Sequence, residues 1–366
     1  MEFDNYGNEK NYENLPKVDG KKKLEEEKKN KENEKGGTSS QDKNNEKHLE
    51  VKIKIKVNKE NDEIYRVYEL SDNRLAVELE NSIKIYSLKT LQLLTKIKHD
   101  NVNNSIELKN KDIAIAGYRI VYFYKLSRNN YINYLKLEEK NKKRIYEIYE
   151  LKNENLILCF RDDLAIYKKE KGEYKFLSTL KLNETVGKIQ EIKTNQLFLF
   201  LLSRTGTYAT ADYSPYYLQI LNIETKEELL LGEGYFSRYD DDSIYYGCNL
   251  LLKSNKYLFT RYAGSFCIFN IEDDNIKNYK CIYKIKDLKL LEYFPSSNVS
   301  FCEYDKDDSF IILSSKGIYK YDEIDNKIIL KQKFIIDIEK IFDIIKLKNK
   351  NFIIYKKNEI FLINNY

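Results

Sequence analysis

From Val51 to the end of the chain, apolar and polar positions alternate over short stretches, and the same block of alternation returns again and again. Alternation with period two is the mark of half-buried strands. The clearest recurring piece is an apolar–x–apolar–aromatic segment: IKIYSL from Ile83, VYFYKL from Val121, LAIYKK from Leu164, LQILNI from Leu218, FCIFNI from Phe266, GIYKYD from Gly317 and IFLINN from Ile360. These seven copies lie roughly 40 to 50 residues apart. An apolar strand precedes each, such as LAVEL from Leu75, IAIAG from Ile113 and LILCF from Leu156. Before that strand stands a segment ending in a polar turn, as in YELSDNR, IELKNKD, YELKNEN and IKLKNKN, where Asn, Asp and Lys suit a tight hairpin. A fourth, more polar strand follows six of the seven copies.

The seventh copy lacks that strand, because Tyr366 is the last residue. The strand VKIKIKV, Val51 to Val57, stands alone before the first copy and fits the gap. Its apolar/Lys alternation suits an outermost strand with one wet face and a lysine-guarded edge. Four antiparallel strands repeated at this period, with the N-terminal strand completing the last group, predict an all-β fold: a seven-bladed β-propeller over 49–366, closed by that strand. Residues 1–48 carry 11 Lys and 12 Asp plus Glu with almost no apolar residues, and are expected to be a disordered charged tail that forms at most a transient helix or coiled coil.

At this level the chain resembles the WD-repeat propellers. IKIYSL sits where those repeats carry a Val-x-Val-Trp-Asp-Leu strand, with Tyr86 in the tryptophan place. The resemblance covers about residues 50–366. It departs from the family in having no Trp-Asp pair and no Gly-His pair, so the family's internal hydrogen-bonded network is expected to be missing. The resemblance permits the reading of phosphorylated peptides through arginines on one face.

Composition narrows the function. Thirty-two Tyr and 17 Phe with no Trp favour strands. A net charge of +5 is too weak to indicate nucleic acid. Five single cysteines, Cys159, Cys248, Cys267, Cys281 and Cys302, have no CxxC spacing and read as free thiols. No stretch approaches a membrane span and no apolar leader opens the chain, so a reducing compartment, cytoplasm or nucleus, is expected. With only His48 and His99, no metal or cofactor site and no enzyme chemistry are expected. His99 reads as a surface residue in a loop, and the runs Asp240–Asp242 and Asp305/Asp307/Asp308 as solvated loops.

Two features stand above this background. Blades four and five carry the main insertions, Arg204 to Tyr217 and Gly232 to Tyr246, which should share one rim and present Tyr208, Tyr213, Tyr216, Tyr235, Arg238 and Tyr239. Tyr and Arg are common anchors of protein interfaces. Aligning the ends of the second strands gives Glu80, Arg119, Arg161, Arg204, Arg261, Lys316 and Lys356, six of seven basic, as a ring suited to carboxylate or phosphate. The alternative there is local pairing, for example Arg161 with Asp162 or Asp163. The expected function is therefore a protein-interaction scaffold or adaptor for an acidic or phosphorylated partner on the blade four–five rim. The alternative is a phosphoinositide-binding propeller at membrane surfaces, against which FTRYAG from Phe259 carries a single Arg where lipid-binding relatives have two.

Overall fold

Strand alternation puts successive side chains on opposite faces, and the second strand of each repeat is apolar at nearly every position, so both of its faces must be covered. The computed structural model, which describes residues 46–57, 63–128, 130–139, 143–182, 184–202, 213–237, 249–251, 256–260, 266–285, 300–303, 309–314, 317–324, 327–336 and 343–364, shows how. The chain divides into two units, Met1–Glu46 and Lys47–Tyr366. The second is an all-β β-propeller, and no α-helix occurs among the described residues.

Among those residues the strands fall into seven sheets. The first consists of Ile64–Glu69, Arg74–Leu79, Ser82–Ser87 and Leu93–Lys98, in that spatial order. The next five follow the same order over 104–138, 147–181, 185–237, 249–285 and 300–335. The seventh is composite: Asp343–Lys346, Phe352–Tyr355 and Glu359–Ile363 take Val51–Lys56 as their fourth strand, with Ile55 opposite Ile360 and Lys56 opposite Glu359. Lys52, Lys54 and Lys56 are exposed along that strand, as its alternation requires. The sixth sheet carries a fifth strand, Glu46–His48, that the repeat pattern does not announce. The expected tail therefore gives way to strand before its limit at residue 48; residues 1–45 lie outside the described residues.

Among the described residues, sheets pack face to face with the sheets before and after them. In the first sheet Leu75, Val77 and Leu79 are buried with Ile353, Ile360 and Leu362 of the seventh. The intervening Ala76 lies instead with Ile113 and Ile115 of the second. Sheets two and three share Phe123, Leu156 and Leu158; sheets three and four share Ile157, Cys159, Leu197 and Leu199. Sheets six and seven share Ile311, Leu313, Phe352 and Ile354. At about 1.5–3 kcal/mol for each fully buried aliphatic or aromatic side chain, these seams dominate the stability.

Polar groups add a second, repeating tie. In the five sheets where it is described, the turn after the first strand is a tight hairpin with one residue in the left-handed region: Asn73, Lys111, Glu154, Asn195 and Lys350, with φ between 61° and 70°. At these turns the first strand's last glutamate reaches back to the previous sheet. Glu107 accepts the Ser71 backbone N–H at 2.7 Å, Glu150 that of Lys109 at 2.7 Å, Glu191 that of Lys152 at 2.6 Å, and Glu69 that of Lys348 at 2.8 Å. Burial pushes the carboxyls of Glu107, Glu150 and Glu191 up, outweighing the N–H donors.

The seam between sheets one and two carries a buried polar network. The carboxylate of buried Glu78 accepts from the Ser105 N–H at 3.1 Å and Oγ at 2.8 Å, Tyr68 Oη meets that same Oγ at 2.9 Å, and the Arg66 guanidinium donates to the Ser105 carbonyl at 3.2 Å.

The outer edge has its own repeat. In every sheet the fourth strand carries one extra residue opposite the third: Leu94, Tyr134, Leu177, Leu231, Ile282, Lys331 and, on the displaced strand, Lys52. A bulge twists an edge strand and spoils it as a template for pairing with another sheet.

Candidate protein-binding rim

Strands two and three of a sheet are joined at one rim, and each sheet is joined to the next at that same rim. The backbone shows the two connections bonded together. Val102 N–H donates to Glu80 O at 2.8 Å, Ile145 to Tyr118 O at 2.9 Å, Val186 to Arg161 O at 3.2 Å and Ile64 to Lys357 O at 2.7 Å. A second set runs from His99 to Asn81, Glu139 to Arg119, Leu182 to Asp162 and Val57 to Asn358.

These bonds fix which turn residues are equivalent, and they correct the ring. The central turn pairs are Glu80–Asn81, Tyr118–Arg119, Arg161–Asp162 and Lys357–Asn358. Arg119 therefore stands one place beyond Arg161, and Lys356 one place before it. The first of the four turn positions is acidic at Glu80, aromatic at Tyr118, and basic only at Arg161 and Lys357. Aligning on the last apolar residue missed this, because Gly117, Phe160 and Lys356 each close their turn with a backbone bond to Ile120, Asp163 and Glu359, whatever their side chain.

Arg119 and Arg161 are exposed, and neither has an ion-pair partner among the described residues. The carboxylate of Asp163 is taken by Lys143 rather than by Arg161. Lys356 is engaged: it pairs with Glu359 at 3.2 Å and lies over the Phe361 ring at 5.4 Å, while Glu359 also binds Lys54 at 2.9 Å. The neighbouring Lys357 pairs with Glu63. Arg204, Arg261, Lys316, Tyr208, Arg238 and Tyr239 lie outside the described residues.

Tyr213, Tyr216 and Tyr235, expected on insertions, sit on strand backbone instead. The third and fourth strands of sheet four are Tyr213–Asn222 and Glu228–Ser237, ten residues each, and Pro215 pairs with Tyr235 there. The second strand reaches only to the pair Leu202–Tyr216, so Pro215 stands beyond it, paired on one side alone. The hairpin grows because the tyrosine-rich sequence before Leu218 favours strand. Between sheets three and four a groove of about 400 Å³ is lined by Lys181, Leu182, Glu184, Leu201, Tyr217, Gln219, Glu228 and Leu230.

Sequence reasoning missed Tyr118, Arg144 and Tyr146. Tyr118 is 53% exposed and Tyr146 42%. The Arg119 guanidinium lies 5.1 Å from the centre of the Tyr118 ring, and Arg144 lies 5.6 Å from Tyr118 and 5.0 Å from Tyr146. His99, expected at the surface, is half-buried. Its ring meets Tyr122 edge-on at 4.6 Å, and burial lowers its pKa, favouring the neutral imidazole. No group of three or more His, Cys, Asp or Glu among the described residues is placed to hold a metal, and the runs Asp240–Asp242 and Asp305–Asp308 lie outside them. No helix among the described residues is long and apolar enough to cross a membrane.

The class of fold defined by these observations is the β-propeller. No family model matches the chain, and no curated protein matches it in sequence. Solved structures do match in fold. One is a chain from a crystal structure of the mitotic checkpoint complex, with a TM-score of 0.62 at 8% identity, covering 90% of this chain and 96% of that one. Another is the Cps50 (Swd1) β-propeller domain of Myceliophteria thermophila, with a TM-score of 0.56 at 10% identity, covering 87% of this chain and all of that one.

Proposed function

We propose that this protein is a non-catalytic interaction scaffold of the cytoplasm or nucleus, a closed ring of seven blades that takes an acidic or phosphorylated protein partner on the rim described above. One observation carries the reading: on that rim, turns and sheet-to-sheet connections are tied backbone to backbone, and they hold out Arg119 and Arg161 with no carboxylate partner among the described residues. A rigid frame presenting unpaired guanidinium groups suits planar oxyanions, which arginine grips with two parallel bonds. The ten-residue hairpin of sheet four runs toward the same rim and brings the Tyr213, Tyr216 and Tyr235 positions with it. Of the two fold neighbours, one comes from a multiprotein complex, which agrees with a partner-binding role.

The test is charge reversal at Arg161, Arg204 and Arg261 together. Capture of the partner from the native cell should fall, while circular dichroism and thermal melting show an intact propeller. Unchanged capture by the triple variant would sink the anion-binding part of the proposal.

A further inference from the structure

Four side chains at the seam between sheets two and three form a stack that neither the repeat pattern nor the fold requires. Tyr118 and Arg119 are the central pair of the turn in sheet two; Arg144 and Tyr146 lie on the connection to sheet three. In order along the surface they run Arg119, Tyr118, Arg144, Tyr146, with successive guanidinium-to-ring distances of 5.1, 5.6 and 5.0 Å. Both rings remain about half exposed.

The base of this stack is rigid. Ile145, between Arg144 and Tyr146, is fully buried, and its N–H donates to Tyr118 O at 2.9 Å. Asn103 clamps both segments, donating from Nδ2 to Gly117 O at 3.0 Å and to Ile145 O at 2.9 Å, while its Oδ1 accepts from Arg144 at 3.4 Å. Tyr146 N–H donates to Cys159 O in sheet three. Two acids at this seam are occupied: Glu139 caps the Lys143 N–H at 2.7 Å, and Asp163 pairs with Lys143. Arg119, Arg144 and Arg161 have no ion-pair partner among the described residues.

We infer that this Tyr–Arg stack is a docking patch for an acidic protein segment, its rings covering apolar atoms of the segment and its guanidinium edges gripping carboxylate or phosphoryl oxygens. Rings against their faces hold the guanidinium groups in place, so little side-chain freedom is left to lose on binding. Exposed tyrosine and arginine side by side is the composition of interface hot spots. A protein segment is favoured over a lipid surface because the patch is compact and half aromatic, whereas anionic membranes are read by clusters of four to eight Lys or Arg. This inference rests on the scaffold reading and locates its contact on sheets two and three.

The test uses the full chain and two labelled probes: a hexaglutamate peptide and the same peptide with one residue replaced by phosphoserine. Fluorescence anisotropy at low salt should show binding of one or both, and comparing the two identifies the preferred anion. Tyr118→Ala and Arg144→Ala should each weaken it about tenfold, Tyr118→Phe by no more than about twofold, and Lys89→Ala, at the opposite rim, not at all. Melting curves confirm that each variant is folded. The inference is overturned if neither peptide binds, if the alanine variants bind like wild type, or if they lose phosphatidylserine vesicles while keeping the peptides. If partner capture depends on Arg161, Arg204 and Arg261 but not on Tyr118 and Arg144, the scaffold reading stands and this patch falls.

Discussion

The glutamates that reach back to the preceding sheet make a quantitative prediction, best drawn at Glu107. Its carboxylate accepts two bonds from one residue of sheet one, the Ser71 N–H at 2.7 Å and the Ser71 Oγ at 2.9 Å. Glu107→Ala removes both and returns two donors to water. A hydrogen bond to a charged group contributes about 1.5–3 kcal/mol when well buried; at this half-buried site the lower end applies, so the expected loss is about 1.5 kcal/mol. For a domain of this size that is a fall in Tm of about 3 °C. Glu107→Gln retains one acceptor but turns an amide donor toward the other, and should fall between the two. Urea unfolding midpoints give the free energies, and a double-mutant cycle with Ser71→Ala isolates the coupling, expected at about 0.5–1 kcal/mol. Hydrogen exchange adds a local readout, since the Ser71 amide should lose protection while strand amides in sheet five do not. Glu138, exposed on the fourth strand of sheet two, supplies the control. If Glu107→Ala is no more destabilising than Glu138→Ala, the tie contributes nothing and the reasoning fails.

Other consequences can be checked with the same measurements. Because burial raises the carboxyls of Glu107, Glu150 and Glu191, the proton-linked part of their stabilisation is fullest below the unfolded value of about 4.3 and is lost as pH rises through the folded values, leaving the hydrogen bonds of the ionised form. The urea midpoint of wild type should therefore decline above about pH 4.3 more steeply than that of the triple Gln variant; parallel profiles would contradict this. Glu78→Ala strips the Ser105 N–H and Oγ of their acceptor and leaves the Arg66 guanidinium without its buried counter-charge, so a loss of about 3 kcal/mol is expected in denaturant titration. Deleting residues 1–57 removes the outer strand of the seventh sheet and its Val57 N–H bond to Asn358, and should abolish cooperative melting, whereas deleting 1–45 should not. Replacing Tyr118–Arg119 by Glu–Asn, the pair found at the same turn of sheet one, should shift stability by less than about 0.5 kcal/mol in the same titration.

Much of the fold was legible because burial on both faces leaves a strong mark. LAVEL, IAIAG and LILCF are apolar at nearly every position, and the lone strand Val51–Val57 could belong only where a strand was lacking. What escaped notice has no period-two signature. An extra residue such as Leu94 or Leu177 changes the pairing register without changing the apolar pattern, so the bulges are invisible to it. The glutamates of YELSDNR, IELKNKD and YELKNEN were in plain view, yet a carboxylate that reaches the next sheet reads in sequence as one more polar residue beside a turn. The rim was harder still. Arg119 and Arg161 look equivalent when counted from the last apolar residue, and only the backbone bonds to Glu139 and Val186 show them one place apart. Arg144 lies some 25 residues downstream of Tyr118 in the chain, and their stacking is a product of the connection folding back along the turn.

Comparing the repeats with one another separates the parts of the ring that hold it together from the parts left free to do something else. At one rim the first turn of four sheets is nearly the same: Leu70-Ser71-Asp72-Asn73, Leu108-Lys109-Asn110-Lys111, Leu151-Lys152-Asn153-Glu154 and Leu347-Lys348-Asn349-Lys350. Each has its buried leucine, its left-handed fourth residue and a backbone N–H offered to the next sheet's glutamate. At the opposite rim the four equivalent turn pairs, Glu80–Asn81, Tyr118–Arg119, Arg161–Asp162 and Lys357–Asn358, share backbone bonds and nothing else. The backbone alone satisfies those turns, so their side chains carry no structural duty that repeats. The propeller is thus held by apolar seams and glutamate ties from one rim, and the other is left chemically unconstrained. Exposed aromatic rings stacked with unpaired arginines on an unconstrained surface oppose solubility and stabilise little. On the docking reading proposed above, the use of such a stack lies outside the ring, in the acidic segment it would hold.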